Sequence, residues 1–265
     1  MDIHFGCTQC GKCCRDTKVP LTVAEAIKWL NRGDQVQLLC EASPWPGELD
    51  CEPRAANFKR RSFAVMSGAM PTRVVVVLAA NVVGACPNLL ANMRCGIYEE
   101  RPLVCRIYPV EINPFIELKP ENKACPPEAW AKDQPLLQRG RVPLDDVISR
   151  DIEMSHAADV LDAGVKRRLS LALNLTHTAL VHEAVLVYSP SAQSLLSALS
   201  FATATESRKE PISQWCFVSD QQETLETLAK SGGTTQHLHA ADAAPFQYLG
   251  FKRQAIFGLT IDHGA

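Results

Sequence analysis

The chain has almost no excess charge. Its 27 basic and 29 acidic residues leave a formal net charge of −2. A balance that close gives no basic footprint, so neither nucleic acid nor an anionic membrane surface is an expected partner. It also lacks a glycine-rich phosphate loop, a His-Glu-x-x-His helix and a Ser/His/Asp order, which removes the simplest routes to nucleotide, zinc-protease or acyl-transfer chemistry. The Cys-x-x-x-Cys-x-x-Cys loop of radical S-adenosylmethionine enzymes is missing too. Long hydrophobic runs are scarce: the longest, Val74 to Ala85, is broken by Asn81 and is too short to cross a bilayer. The opening residues have no basic n-region and no apolar h-region, so no secretory signal is expected and the predicted location is the cytoplasm. No internal repeat and no low-complexity tract is found.

Cysteine, by contrast, is abundant. Eleven occur in 265 residues, an odd number that suits a disulfide framework badly and a reducing cytosol worse. Four fall within Cys7-Thr-Gln-Cys10-Gly-Lys-Cys13-Cys14. Cys86, Cys95, Cys105 and Cys125 follow far downstream, separated from one another by eight, nine and nineteen residues. Thiolates must converge on a point to hold a metal, so close pairs supply a tight turn and remote ones clamp separate segments. Cys7-x-x-Cys10 fits such a turn, with Gly11 easing the backbone beside it. Cys7, Cys10 and Cys13 also have the Cys-x-x-Cys-x-x-Cys spacing of a ferredoxin-type iron–sulfur site. Spacing alone allows zinc or iron, in one site or two. Arg15, Arg94, Arg101 and Arg106 flank these cysteines and could offset thiolate charge.

With 46% hydrophobic residues the chain can bury a real core, and the expected class is α+β. Thr22 with Glu25 predicts a capping box for a short helix that stops at Gly33 and buries Ala26, Trp29 and Leu30. Arg54 to Phe63 could form a turn or two of helix. Arg73 to Cys86 is rich in β-branched residues and predicts a hairpin turning at Ala80-Asn81, with Cys86 at a strand end. Pro87 to Pro127 reads as irregular and in need of a cross-link. After Trp130 helical patterning takes over. Helices are predicted over Pro143 to Ala163 and Val165 to His182, then strand Ala184 to Tyr188 and helix Ser191 to Ala204. Strand Trp215 to Val218 and a helix capped by Asp220 and running to Lys230 follow. Ser231 to Pro245 reads as a loop and Phe246 to Asp262 as a last hairpin. The expected organisation is a cysteine-cluster domain over residues 1–133 and a helical and α/β region over 134–265.

The blocks Cys7-x-x-Cys10-Gly-x-Cys13-Cys14, Cys86-Pro-Asn-Leu, Cys95-Gly-Ile-Tyr-Glu-x-Arg-Pro-x-x-Cys105-Arg-x-Tyr-Pro and Cys125-Pro-Pro resemble the CxxCxxCC, or YkgJ-type, cysteine-cluster family of zinc- or iron-chelating proteins. The resemblance covers about residues 1 to 130. It implies that Cys7, Cys10, Cys13, Cys14, Cys86, Cys95, Cys105 and Cys125 are metal ligands, for an iron–sulfur cluster or zinc. Some relatives are flagellin lysine N-methylases with an iron–sulfur cluster, which implies a possible protein-modifying activity, S-adenosylmethionine as a further cofactor and a protein or peptide partner. A zinc-stabilised scaffold is the other reading, and catalysis is left open. Cys40, Cys51 and Cys216 read as ordinary core residues, and His4 as a surface neighbour of the site. His237, His239 and Asp242 could form a second metal site. Tyr98 and Tyr108 are expected to cover the metal from water.

Overall fold

The computed structural model describes residues 2–47, 52–205, 212–241 and 245–251. Cys51, Asp242 and the far end of the predicted last hairpin lie outside the described residues. In chain order the elements are β1 (Asp2–His4), β2 (Arg15–Leu21), α1 (Val23–Asn31), β3 (Val36–Pro44), α2 (Pro53–Arg60), β4 (Ser62–Ser67) and β5 (Met70–Ala85). Then come α3 (Leu103–Ile107), β6 (Leu136–Arg139), β7 (Val142–Pro143), α4 (Asp146–Ala172), β8 (His177–Leu180) and β9 (Ala184–Tyr188). The last are α5 (Ala192–Ala204), β10 (Cys216–Ser219), α6 (Gln222–Lys230), β11 (Thr235–His237) and β12 (Phe246–Gly250). The fold is α+β, as expected from the sequence.

Two compact units are each assembled from separated stretches. Of the described residues, those up to Leu21 and from Ala80 to Ala158 form the first, and those from Thr22 to Ala79 and from Asp159 onward form the second. In the first unit β1 runs antiparallel to β6, with Ile3 opposite Gln138, and β6 is antiparallel to β7. Ile3, Leu103, Ile107, Val110, Leu118 and Leu137 make a small apolar cluster that Phe5 and Trp130 join. The buried carboxylate of Asp151 meets Arg106 at 2.8 Å, so that arginine has a structural partner. Between Cys86 and Pro135 the chain makes short turns and the five-residue α3, as its prolines foretold.

The second unit is an α/β layer. β3, β8, β10 and β11 lie side by side and parallel, while β9 is antiparallel to β3 and β12 to β9. β4 and β5 form an antiparallel hairpin turning at Gly68-Ala69. All five residues of β9 are buried, which is why Ala184 to Tyr188 reads as an unbroken apolar run. α1 carries the predicted capping box, with the Glu25 N–H on Thr22 Oγ1 at 3.2 Å and the Thr22 N–H on Glu25 Oε2 at 2.9 Å. Ala26, Trp29 and Leu30 are buried.

Four sequence expectations are corrected. Ala80-Asn81 is no turn, because β5 runs straight through it and the Asn81 side chain accepts from Lys18 Nζ of β2 at 2.8 Å. The hairpin exists one strand earlier, and Cys86 still follows a strand end. The two helices predicted over 143–182 are one, α4, since Gly164 weakens a helix by about 1 kcal/mol without removing a hydrogen bond, and His177 to Leu180 is strand. Asp220 does not cap α6; Gln221 holds that position, and Asp220 accepts from Tyr248 OH at 3.1 Å instead. The loop predicted over 231–245 contains β11, whose partner β10 lies outside the local window.

Candidate metal centre

The knot Cys7 to Cys14 closes through unusual backbone. Gln9 and Gly11 have φ of 54° and 67°. A Cβ on Gly11 would lie 2.9 Å from Met93 Cε and 3.1 Å from Met93 O, so both the sign of φ and the close approach require glycine there. Lys12 to Cys14 then make a single 3-10 turn, with the Cys14 N–H on Gly11 O at 3.1 Å.

Two sets of main-chain bonds bring the remote cysteines to this knot. At its start the Phe5 N–H donates to Pro135 O at 3.0 Å and the Gly6 N–H to Ala129 O at 2.8 Å. The Phe5 and Trp130 rings pack at 4.8 Å, and His4 Nδ1 lies 2.8 Å from Gln134 O. The Gln134 side-chain amide lies against Gly6 where a Cβ would otherwise stand. Cys7 is thereby delivered beside the segment that carries Cys125. Tyr108 fixes that segment, its hydroxyl oxygen accepting from the Ala124 N–H at 3.0 Å and from the Cys125 thiol at 3.6 Å.

At the end of the knot the Cys86 N–H donates to Cys14 O at 2.8 Å, and the Gly84 N–H to Asp16 Oδ1 at 2.7 Å. Cys86 to Leu89 is a turn closed by the Leu89 N–H on Cys86 O at 2.9 Å. Leu89 bridges Cys95, and the Gly96 N–H reaches Asn88 O at 2.7 Å. Asn88 aims its side-chain amide at Cys86 Sγ, 3.9 Å away. Cys105 sits in α3, its carbonyl accepting from Arg101 Nη1 at 3.4 Å.

The thiols feel one another. Burial pushes Cys86 up, and the charges of Cys14 and Cys95 add to the rise against the pull of Asn88. Burial raises Cys105 to about 12, with Cys14, Cys86 and Cys95 adding and Arg101 opposing. Cys125 is raised by burial and by Cys10 and Cys7, against Tyr108 and Lys123. Cys13 and Cys14 have sulfurs 4.0 Å apart; the hydrogen bond between them pushes Cys13 up and pulls Cys14 down to about 7, helped by Arg101. Mutual repulsion of this kind is what a cation among the sulfurs would reverse.

Cys7 and Cys13 are exposed and Cys10, Cys14, Cys86, Cys95, Cys105 and Cys125 are half-buried, all in the first unit. Among the described residues no three His, Cys, Asp or Glu side chains are closed to ligating distance. The donor set nonetheless suits a thiophilic metal: the Asn88 amide is aimed at Cys86 Sγ, and the positive charges of Arg101 and Lys123 act on Cys14, Cys105 and Cys125, as charged thiolates require. Of the flanking arginines, Arg101 acts on Cys14 and Cys105, Arg106 is engaged by Asp151, and Arg15 Nη2 lies 3.7 Å from Met93 Sδ. Asn88 and Lys123 were not singled out from the sequence; their adjacency to Cys86 and Cys125 was the available signal. Tyr108 touches Cys125, whereas Tyr98 is 45% exposed and lies under the Arg101 guanidinium at 3.7 Å.

The remaining candidates lie in the second unit. Cys40 is fully buried, with its thiol pushed up by burial, and Cys216 is half-buried in β10. The His237 and His239 rings stack at 5.1 Å. Glu183 accepts from Ser219, Thr224 and Tyr248 hydroxyls, which occupies both of its oxygens and ties β10, α6 and β12 together.

Eight thiols fall in the first unit, where backbone bonds join the knot at its start to the 129–135 strip and at its end to the Cys86 turn, and the unit is in that sense a cysteine-cluster domain. Residues 6–126 match the CxxCxxCC family model, described as a putative zinc- or iron-chelating domain. No curated protein and no solved structure matches the chain. Among the described residues no helix is long and apolar enough to cross a membrane.

Proposed function

We propose that the first unit is a metal-binding module whose ligands are Cys7, Cys10, Cys13, Cys14, Cys86, Cys95, Cys105 and Cys125, holding zinc or iron–sulfur. The observation that supports this is convergence. Cys40 is sealed in the core of the second unit, whereas these eight thiols share the first unit, two exposed and six half-buried, with Cys86 bonded to Cys14 through the backbone and the sulfurs of Cys13 and Cys14 4.0 Å apart. Bound metal supplies a cross-link between the knot and the irregular strip and, as iron–sulfur, a one-electron carrier. The chain's own residues hold the ligands in reach: Asn88 and Tyr108 donate to or accept from sulfur, and Arg101 and Lys123 offset its charge. Ligation deprotonates the thiols, so metal binding is predicted to weaken as pH falls.

The test is anaerobic purification followed by zinc, iron and acid-labile sulfide analysis. Stoichiometric zinc without sulfide, or iron with equal sulfide, is the expected result, and it also tells the two metals apart. A well-folded protein holding neither overturns the proposal. Cys10→Ser is expected to lower metal content and thermal stability while Cys216→Ser leaves both unchanged.

A further inference from the structure

α4 is 27 residues long, about 40 Å at 1.5 Å per residue, and it exposes an apolar stripe along its length. One side of the helix buries Asp151, Lys166, Leu169 and Ser170. On the other side Val147, Met154 and Leu161 are exposed at seven-residue spacing, and Ala157, Gly164 and Leu171 are exposed at the same spacing three positions later in each repeat. Written as heptads, the first three hold the a position and the second three the d position of a helix-pairing seam. Leu161 is 75% exposed. The pattern runs from residue 147 to residue 171, the length over which heptads specify a helical partner. We propose that α4 pairs antiparallel with α4 of a second copy of this chain, giving a two-fold dimer whose axis passes midway between Ala157 and Leu161.

The side-chain sizes match in that arrangement. The axis sets Leu161 against Ala157 of the second copy, Met154 against Gly164 and Val147 against Leu171, and symmetry repeats each layer. Two of these layers place a large residue against a small one, which lets the backbones approach closely while the seam stays filled. Parallel pairing would set Leu161 on Leu161 and Gly164 on Gly164, crowding one layer and leaving the next empty.

Charge selects the same direction. Asp146 and Glu153 flank the stripe in the first half of α4, and Arg167 and Arg168 lie near its end. Antiparallel pairing brings Glu153 of each copy beside Arg167 of the other, whereas parallel pairing would bring Glu153 beside Glu153 and Arg167 beside Arg167. Arg150 and Arg168 fall opposite each other across the seam. Arg168 Nε, however, donates to Ala202 O at 2.7 Å, which draws its guanidinium toward α5. Arg150 has Asp146 and Glu153 a turn away on either side, where opposite charges on a helix attract.

The experiment is sedimentation equilibrium of the full chain over a wide concentration range, under reducing, anaerobic conditions so that no intermolecular disulfide contributes. The wild type is expected at twice the 29.1 kDa of one chain. Leu161→Glu should raise the dissociation constant by roughly 100-fold or more, because symmetry removes two buried leucines per dimer. Phe201→Glu changes an exposed apolar residue of α5 that lies off the stripe, and it should leave the constant unchanged. Glu153→Arg should weaken the dimer by about 3- to 10-fold, and E153R/R167E should restore it. Circular dichroism and metal content of Leu161→Glu should equal those of the wild type, which separates loss of pairing from loss of fold. A monomeric wild type overturns the proposal, and so does a dimer that Leu161→Glu leaves intact or that Phe201→Glu weakens equally. A tighter dimer in Glu153→Arg overturns the antiparallel arrangement. None of these results bears on the metal-binding reading, which the metal analysis tests separately.

Discussion

The second unit encloses the large, fully buried side chains of Trp215, Phe217, Leu38, Leu78, Leu186, Leu195 and Leu199, together with Val74, Val75 and Val76. The first unit has Ile107 in that class and a cluster of a few aliphatic residues around it. Its chain from Cys86 to Pro135 is turns, three single-turn 3-10 helices and one short α-helix, yet it follows a defined path. Ordering a residue costs about 1 to 2 kcal/mol of backbone entropy. The second unit offsets that with buried apolar surface, whereas the first has little to set against it except backbone bonds and, on the proposed reading, metal–thiolate bonds. One chain thus shows two ways of fixing a fold, one spread over many contacts and the other concentrated at a few sulfurs.

The sharpest way to break this comparison is to remove the metal. Chelation under reducing conditions is expected to cost the first unit on the order of 10 kcal/mol. Hydrogen exchange followed by mass spectrometry should show residues 84–135 losing protection while β3 and β9 keep theirs. Equal loss in both units, or none in either, would contradict the contrast. The converse change is Trp215→Ala, which empties a site 2% exposed and should lower stability by about 3 to 5 kcal/mol. Metal content per folded chain should not change; a parallel fall in metal would mean that the two units are not energetically separate.

Smaller effects sharpen the picture of the second unit. Thr22→Ala removes one side of the capping box and is expected to lower the unfolding free energy by about 1 kcal/mol in urea titration. Loss of nothing would mean that α1 is held by packing alone. Glu41 is 2% exposed, and burial raises its pKa although Arg61 at 3.9 Å partly opposes the rise. A raised carboxyl binds its proton more tightly in the folded state, so its ionised form weakens the fold as pH climbs above the ordinary glutamate value of about 4.3. Glu41→Gln should therefore raise the urea midpoint at pH 7, with the gain fading as pH falls below about 4. A gain of the same size at both pH values would show that ionisation is not the cause.

What the sequence made legible follows from how local each signal is. Thr22 and Glu25 are three residues apart, and the helix they open was readable with its buried face. The cysteine blocks were readable because ligands announce themselves by residue type. By contrast, β5 passes through Asn81 because of a lysine 63 positions earlier, and β11 forms because β10 is there to pair with it. Neither cause lies in the window that periodicity inspects. Asn88 and Lys123 gain their roles only when the strip folds back on Cys86 and Cys125, and as isolated letters they are ordinary polar residues.

The central claim, that eight thiols are ligands and the others are not, is tested most directly by mapping alkylation cysteine by cysteine before and after metal release. Cys7, Cys10, Cys13, Cys14, Cys86, Cys95, Cys105 and Cys125 should be protected in the anaerobically purified native protein and become reactive once metal is removed, with Cys40 silent in the native fold throughout. Rapid labelling of exposed Cys7 and Cys13 in the protein as purified, unchanged by chelation, would contradict it.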